Sequence, residues 1–410
     1  LSTNKKGADI DRGNMALRKG VFIVAAKRTA FGTYGGKLKS FSPTDLQEVA
    51  CRAALQAGNV NPETIDSVYI GNIMPSAPDT SYISRHAALR VGCKVDTPCL
   101  TINRLCGSGF QSIINGAQEI QLGESEVVMT GGSESMSGAP HSLYGARWGS
   151  RLGQNLQLED VLWAGLTDSH CKTPMGMTAE NLAEQYNITR EQCDAYAVQS
   201  QTRWKAAQDA GRFKEEMAPV TLKSKKGEEI FEVDEHPRPG TTIEQMAKLP
   251  PVFKKGGTVN AANASGVCDG AGCVIVASEE AVKQHNLTPL ARLVGYHTSG
   301  CDPKIMGIGP VPSIRALLKK TEKTLDNIDL VEVNEAFAPQ YLAVEKELGL
   351  DPERTNVDGG AIALGHPLAA SGSRITAHLV YELRRRGGKF AIGSACIGGG
   401  QGIALMLERV

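Results

Sequence analysis

The feature that most constrains this chain is an internal repeat at a spacing of 263 residues. Asp66 falls opposite Asp329, and Cys106 falls opposite Ala369. Ser108 and Gly109 fall opposite Ser371 and Gly372, and residues 127–129 fall opposite 390–392. One offset held by several separated segments points to a duplication. Two similar halves pack with their helix N-termini converging, so groups from both halves can meet at one pocket. At 410 residues the chain is also too long for one ordinary core.

Each half alternates strand-like and helix-like runs. The first reads as strands at 21–26, 67–73, 99–103 and 126–130, with helices at 44–57, 83–91 and 108–122. Ser42-Pro43 is a start signal for the first helix. The pattern returns with strands at 273–278, 291–297, 330–334 and 389–393, and helices at 313–320, at 336–348 and from about Ala370. This alternation predicts a mostly parallel sheet covered by helices. Residues 133–266 break the rhythm and contain one long helical run, 178–211. They read as an insertion folded over a site.

Lys plus Arg equals Asp plus Glu, 44 each, so no net charge draws the chain to nucleic acid. No apolar run reaches the ~18 residues of a transmembrane helix. The ten cysteines form no CxxC pair, which disfavours zinc and fits a reducing compartment. The polar segment 1–14 reads as an expression remnant. Residues 15–44 lack Asp and Glu but hold Arg18, Lys19, Lys27, Arg28, Lys37 and Lys39. That suits either mitochondrial import or a surface strand with basic flanks.

Four side chains carry candidate chemistry. Cys106 sits in a glycine turn feeding a helix, where unpaired N–H groups favour thiolate and lower the thiol pKa. The same glycines also fit a phosphate loop, although no acidic ribose partner follows. His366 lies in Gly365-His366-Pro367 before another helix, a setting that suits a base as well as a hydrogen-bonding histidine. Cys396 follows a strand and precedes Gly398-Gly399-Gly400, whose N–H groups can bind an oxyanion. Asn334 ends a strand, where its amide can hold a water or cap a helix.

NRLCGSG at 103–109, GGSESMS at 131–137, NASGVCDGA at 263–271, NEAF at 334–337, GGAIALGHP at 359–367 and CIGGGQG at 396–402 together resemble the motifs of thiolases, from about Gly20 to the C-terminus. The resemblance implies an α/β thiolase fold: two βαβαβαββ halves in a five-layered αβαβα core with an inserted loop domain. It divides the chain into 15–136 with 266–284, an insertion at 137–265, and 285–410. It implies Cys106 as acyl-accepting nucleophile, His366 as the base for Cys106 and then CoA, and Cys396 as the acid for the acetyl-CoA enolate. The N–H groups of Cys106 and Gly398 would bind one oxyanion, and His366 with Asn334, through a water, would bind the thioester oxygen.

Ser265 is implied near the pantetheine of CoA, with Arg238 and Thr241 near its nucleotide end. CoA and acyl-CoA are substrates, no metal or resident cofactor is implied, and the assembly is a homotetramer built from dimers. The implied reaction is CoA-dependent cleavage of 3-oxoacyl-CoA to acetyl-CoA and a shortened acyl-CoA, as in fatty acid β-oxidation in the mitochondrial matrix. Pro174-Met175 replaces the His-Met of many short-chain relatives, and Ala369-Ala370 stands where relatives usually have a glycine. The alternatives are a short-chain acetoacetyl-CoA thiolase, a decarboxylating condensing enzyme, a non-catalytic CoA-binding scaffold and a cysteine thioesterase.

Overall fold

Alternation of buried apolar strands with one-sided helices produces the repeat in three dimensions. The structure is a computed structural model that describes residue 17, residues 19–225 and residues 227–410. The 1–14 segment, Met15 and Arg18 lie outside the described residues. The first half runs β1 (Val21–Thr29), α1 (Pro43–Ala57), β2 (Ser67–Gly71), α2 (Ile83–Val91), β3 (Cys99–Ile102), α3 (Ser108–Leu122) and β4 (Val127–Ser135). The chain then leaves the sheet for a long excursion holding α4 (Met175–Tyr186) and α5 (Arg190–Asp209), and returns as β5 (Cys268–Ser278). The second half is β6 (Ala291–Gly300), α6 (Pro310–Thr321), β7 (Leu330–Val333), α7 (Ala338–Leu348), α8 (Ala361–Leu364), α9 (Ser371–Arg386), β8 (Phe390–Ile397) and β9 (Gln401–Arg409).

The strands lie in the order β7-β8-β9-β6-β1-β5-β4-β2-β3. The halves join where Phe22 and Ile23 of β1 pair with Arg292 and Ala291 of β6. The sheet is mixed rather than mostly parallel. β2 pairs in parallel with β3 and β4, and β7 with β8, but each half closes on antiparallel strands: β4–β5–β1 and β8–β9–β6. Of these pairs, β8 and β9 are joined directly by the short turn 398–400, a connection that only antiparallel neighbours allow. The third strand of the second half shrinks to one bridge between Val331 and Thr355.

Helices α1 and α2 cover the outer face of the first half-sheet, and α6 with α7 lies outside the second. α3 and α9 lie between the two half-sheets, touching strands of both, which makes five layers. Two further expectations are corrected. β4 runs through Gly131 and Gly132 rather than stopping there, because β5 pairs with it as far as Asp269–Ser135. The run 178–211 is two helices, since Asn187 turns to φ 52° and Thr189 opens a new helix with a capping box.

A helix buried between sheets must neutralise its own polar groups. α9 carries Arg374, His378 and Glu382 on one face, all buried. Arg374 pairs with Glu332, His378 sits 2.9 Å from Glu216 and 3.4 Å from Asp358, and Glu382 pairs with Arg385 and Arg386. Arg28 of β1, fully buried, meets Glu216 and Asp234 at 2.6 Å each. Arg28 is thus a core cation, not part of a basic surface.

α3 and α9 cross at the repeat-related pair Gly109 and Gly372. A Cβ on Gly109 would stand 2.6 Å from Ser373 N and 2.7 Å from Ala369 O, and one on Gly372 would strike Phe110 N. Gly109→Ala is expected to destabilise the fold by about 2 to 3 kcal/mol, as overpacking at a backbone contact does. Urea unfolding of the variant beside the parent chain measures it.

Candidate active site

Cys106 stands in a single 3-10 turn, Leu105–Gly107, between β3 and α3. The turn forces Leu105 to φ 45°, a left-handed conformation unfavourable for leucine. Side chains hold it there. Asn103 Oδ1 accepts from Leu105 N at 2.9 Å, while Ser108 Oγ accepts from Arg104 N and donates to Leu105 O, both at 2.8 Å. Gly107 lies flat against Ile397 and Ile403, so the turn is seated on β8 and β9 of the other half.

Cys106 keeps a partly exposed face while protein surrounds it closely elsewhere. Burial pushes its thiol up to about 11, although the N–H groups of Gly398 and of Cys106 itself pull the other way. The expected low pKa at a helix N-terminus is therefore overridden by desolvation. The thiol needs a base to become a nucleophile.

His366 sits in the turn between α8 and α9, buried, with its N–H donating to Gly266 O at 2.9 Å. Ser371 Oγ donates to Pro367 O at 3.1 Å and stands 2.6 Å from His366 Nδ1. With the single hydroxyl proton used on Pro367, Nδ1–H must donate to Ser371, and Nε2 is left as the basic nitrogen. Asn334 Nδ2 faces that Nε2 at 3.3 Å. Burial first, and the Arg374 charge second, hold the imidazole down to about 3, so it is neutral. Among the described residues Asn334 Oδ1 is buried without a partner, and it offers an acceptor beside the histidine.

Cys396 is fully buried near the end of β8, and it packs with Met306 and Ala336. Burial, then the neighbouring Cys106 and Cys301, drive its thiol well above the ordinary range, so it is a proton-bearing acid at rest. Gly398 follows in the β8–β9 turn, pressed between Leu105 and Met175 of α4. Leu368, two residues beyond His366, packs with Cys106 alongside Met74, Met136 and Leu162. The Cys106 thiol thus has two N–H groups on it and a second thiol beside it, and the residue two positions past the neutral imidazole packs against it. Such a set can carry an acyl group on sulfur and move protons at its neighbour.

The sequence profile "Thiolase, N-terminal domain" matches residues 21–280, and "Thiolase, C-terminal domain" matches residues 287–409. The chain belongs to the thiolase family. It is 68% identical over 395 residues to the mitochondrial 3-ketoacyl-CoA thiolase of Bos taurus, covering 96% of this chain and all of the bovine one. It is 66% identical to that of Homo sapiens over 96% of this chain and 99% of the human one. The crystal structure of the human mitochondrial 3-ketoacyl-CoA thiolase superposes with a TM-score of 0.95 at 66% identity, over 96% of this chain and all of that one. The human enzyme in complex with CoA also gives 0.95, at 65% identity over 97% of this chain.

The three residues expected at CoA, Arg238, Thr241 and Ser265, lie apart from the thiols in the structure. Arg238 and Thr241 line a cavity of about 190 Å3 with Gln201, His236 and Met246. The Arg238 guanidinium is exposed, and its Nη1 donates to the carbonyls of Glu235, His236 and Pro237. Thr241 Oγ1 donates to Arg238 O at 2.7 Å. Ser265 is half-buried, its N–H on Ala336 O at 2.9 Å. The next residue, Gly266, touches the His236 ring on one side and bonds His366 N on the other. A continuous line of residues therefore runs from the Arg238 cavity to the imidazole. A larger cavity of about 670 Å3, around Tyr186, Gln192 and Leu342, lies between α4, α5 and α7 and contains none of these groups.

Sequence reasoning missed three polar residues of this thiolase site. Ser371, which sets the His366 tautomer, appeared only as the repeat partner of Ser108. Glu335 accepts from Tyr196 OH and Ser200 Oγ at 2.7 Å and from Ile362 N at 3.1 Å. Glu134 is buried between the two halves. Both glutamates lie inside motifs already quoted, and their burial was the absent signal.

Ser371→Ala is expected to lower turnover about 10- to 100-fold, since Nδ1 loses its acceptor and the reactive tautomer its support. Steady-state rates with an acyl-CoA substrate measure this. A linkage effect follows from the depressed His366 pKa. The unfolded imidazole takes a proton below its ordinary 6.5 and the folded one only near 3. This contribution to stability is full above pH 6.5 and is lost as pH falls toward 3. His366→Gln should therefore show a shallower loss of stability between pH 6.5 and 4 than the parent in urea titrations.

Proposed function

We propose that this chain is a 3-ketoacyl-CoA thiolase, acting in fatty acid β-oxidation in the mitochondrial matrix. The observation that carries the reading is the Cys106 thiol under the N–H groups of Cys106 and Gly398 with Cys396 beside it, together with a neutral His366 beside Asn334. The mitochondrial names of the 68% and 66% identical relatives support the compartment. CoA is a substrate in this reading, supported by the human relative crystallised with CoA and by the Arg238–Thr241 cavity. No metal or resident cofactor is used.

The reaction follows from the proton states. Nε2 of His366 takes the Cys106 proton as sulfur attacks the C3 carbonyl of a 3-oxoacyl-CoA. The resulting oxyanion is held by the N–H groups of Cys106 and Gly398. The C2–C3 bond then breaks, and its electron pair becomes the enolate of acetyl-CoA. The enolate's thioester oxygen lies toward His366 and a water on Asn334. Cys396 gives its proton to C2, and the His366 proton restores Cys396. Acetyl-CoA leaves, His366 deprotonates the CoA thiol, and CoA sulfur attacks the acyl-Cys106 thioester. Cys106 leaves as thiolate and regains its proton from His366. Run backwards, the same steps are a Claisen condensation. Met74, Met136, Leu162 and Leu368 give Cys106 an apolar wall suited to an acyl chain. The excursion 137–265 is the inserted loop domain in this reading, between the 15–136/266–284 and 285–410 halves.

Cleavage of 3-oxooctanoyl-CoA with CoA, beside acetoacetyl-CoA, tests the assignment. Acetyl-CoA and hexanoyl-CoA are expected from the longer substrate, identified by mass. Cys106→Ala should lose at least about 10³-fold in rate, as removal of a covalent nucleophile does. Turnover of acetoacetyl-CoA alone would replace the assignment with the short-chain enzyme.

The same reading makes the chain a homotetramer built from dimers. Supporting it, the hairpin of His141–Leu143 with Leu158–Asp160 and its connecting loop expose Tyr144, Trp148, Leu152 and Leu158 together. Trp148→Lys with Leu152→Lys is expected to halve the assembly mass in sedimentation velocity while thiolysis continues.

A further inference from the structure

The segment that carries His366 is held at both ends by buried carboxylates, one from each half. At its start Glu335, adjoining Asn334, accepts from Ile362 N at 3.1 Å. At its end Glu134 of β4 accepts from Ala369 N at 3.2 Å. Glu134 also accepts from Met74 N at 2.9 Å and from Asn72 Nδ2 at 3.3 Å. Met74 belongs to the apolar wall around Cys106. One side chain therefore joins the wall beside the thiol in the first half to the turn of the imidazole in the second.

Glu134 is fully buried, and among the described residues no arginine, lysine or histidine pairs with it. Its partners, the N–H groups of Ile73, Met74 and Ala369 and the Asn72 amide, all donate and favour the carboxylate, but burial outweighs them and raises its pKa to about 8, so it is ionised in the alkaline range where Cys106 titrates. The titratable groups whose charges bear on it are Asp269 of the adjacent β5 and Cys106. A buried carboxylate with no cation is costly, and an apolar residue would suit stability better. The repeat shows as much. At the 263-residue offset Glu134 corresponds to Ile397, which packs on Gly107 before α3. The two sites are related, each at a strand end and each against the turn before the other half's central helix. Only the one facing the histidine turn carries an ionisable group.

We propose that Glu134 is a positioning residue for the reaction: it locks the His366–Ala369 turn to the Met74 segment and so holds Nε2 in line with the Cys106 thiol. This rests on the thiolase assignment, because alignment of base and nucleophile is what its first step needs. Once ionised, above about pH 8, its negative charge also sits against Cys106 and opposes thiolate formation. The two effects have opposite signs, and a residue that merely supports the fold would not produce both.

The test uses the full chain with Glu134→Gln and Glu134→Asp. The glutamine keeps the shape but loses the charge and turns an N–H toward donors. The thiolysis kcat of E134Q is expected to fall about 10- to 100-fold, with KM for CoA within about threefold of the parent. The pH midpoint for iodoacetamide alkylation of Cys106, followed on its peptide by mass, should move down by about half a unit or more. E134D keeps the charge, so its alkylation midpoint should stay with the parent even where its kcat falls, and it serves if E134Q does not fold. A kcat for E134Q within about threefold of the parent overturns the proposal. So does an unchanged alkylation midpoint in E134Q, or a midpoint in E134D that shifts as far as predicted for E134Q. Alkylation needs no CoA substrate, so a parent chain inactive in thiolysis but normal in this titration would count against the thiolase assignment instead.

Discussion

The backbone contact between α3 and α9 at Gly109 and Gly372 is the constraint on which the rest depends. Two helices that touch without side chains bring their N-terminal turns to the same place. One turn holds Cys106 and the other holds His366. The duplication thus supplies two related slots facing one another, and chemistry arises from filling them differently. Nine residues separate Cys99 of β3 from Ser108, the start of α3. Sixteen separate the corresponding Thr355 from Ser371, the start of α9. The longer connection contains α8 and Gly365, whose φ of 101° turns the chain into His366. It lets an imidazole, rather than a second thiol, occupy the later slot.

Burial then sets the resting charge state. The same loss of water raises the Cys106 and Cys396 thiols and lowers the imidazole. A thiolate–imidazolium pair would have to be maintained against that loss twice over. All three groups rest neutral instead, and charge develops only when a carbonyl oxygen lies under the N–H groups of Cys106 and Gly398. Electrostatic support aimed at the charge that forms, rather than at the resting enzyme, is the arrangement that lowers a barrier. The charged face of α9 does not break this logic, because Arg374 and His378 are matched by Glu332, Glu216 and Asp358.

Legibility in the sequence followed the range of the interactions. The repeat was readable because its marker residues do the same local work. Asp66 Oδ2 accepts from the N–H groups of Glu126 and Val127, and Asp329 Oδ2 accepts from those of Lys389 and Phe390. Helices α2 and α3 were placed to the residue, because Gly92 and Gly123 end them in left-handed turns. The mixed pairing of the sheet was not readable, since strand direction depends on connections rather than on composition. β9, Gln401–Arg409, was passed over although the glycine run before it marks the turn it leaves. The Cys106 turn was located correctly, but its pKa was not. A helix N-terminus is visible in a sequence, whereas the apolar wall that outweighs it comes from Met74, Met136, Leu162 and Leu368. Glu134 and Glu335 were hidden for the same reason, as their partners are 21 to 235 residues away.

The excursion between β4 and β5 is more than a cover. Tyr196 and Ser200 of α5 both bond to Glu335, and Gly359 packs against the Ser200 and Trp204 backbone. Met175 of α4 presses on Gly398, whose N–H bonds the Cys106 thiol. The inserted segment therefore fixes the frame of the imidazole and one side of the Gly398 turn, while its short helix Val161–Gly165 contributes Leu162 to the apolar wall. These contacts separate two kinds of change. Substitution at Leu162 alters the room beside Cys106 without touching a proton carrier. Substitution at Tyr196 or Ser200 reaches His366 through Glu335 and α8. Acyl-chain preference can thus drift through the first set while the frame of the reaction stays fixed by the second.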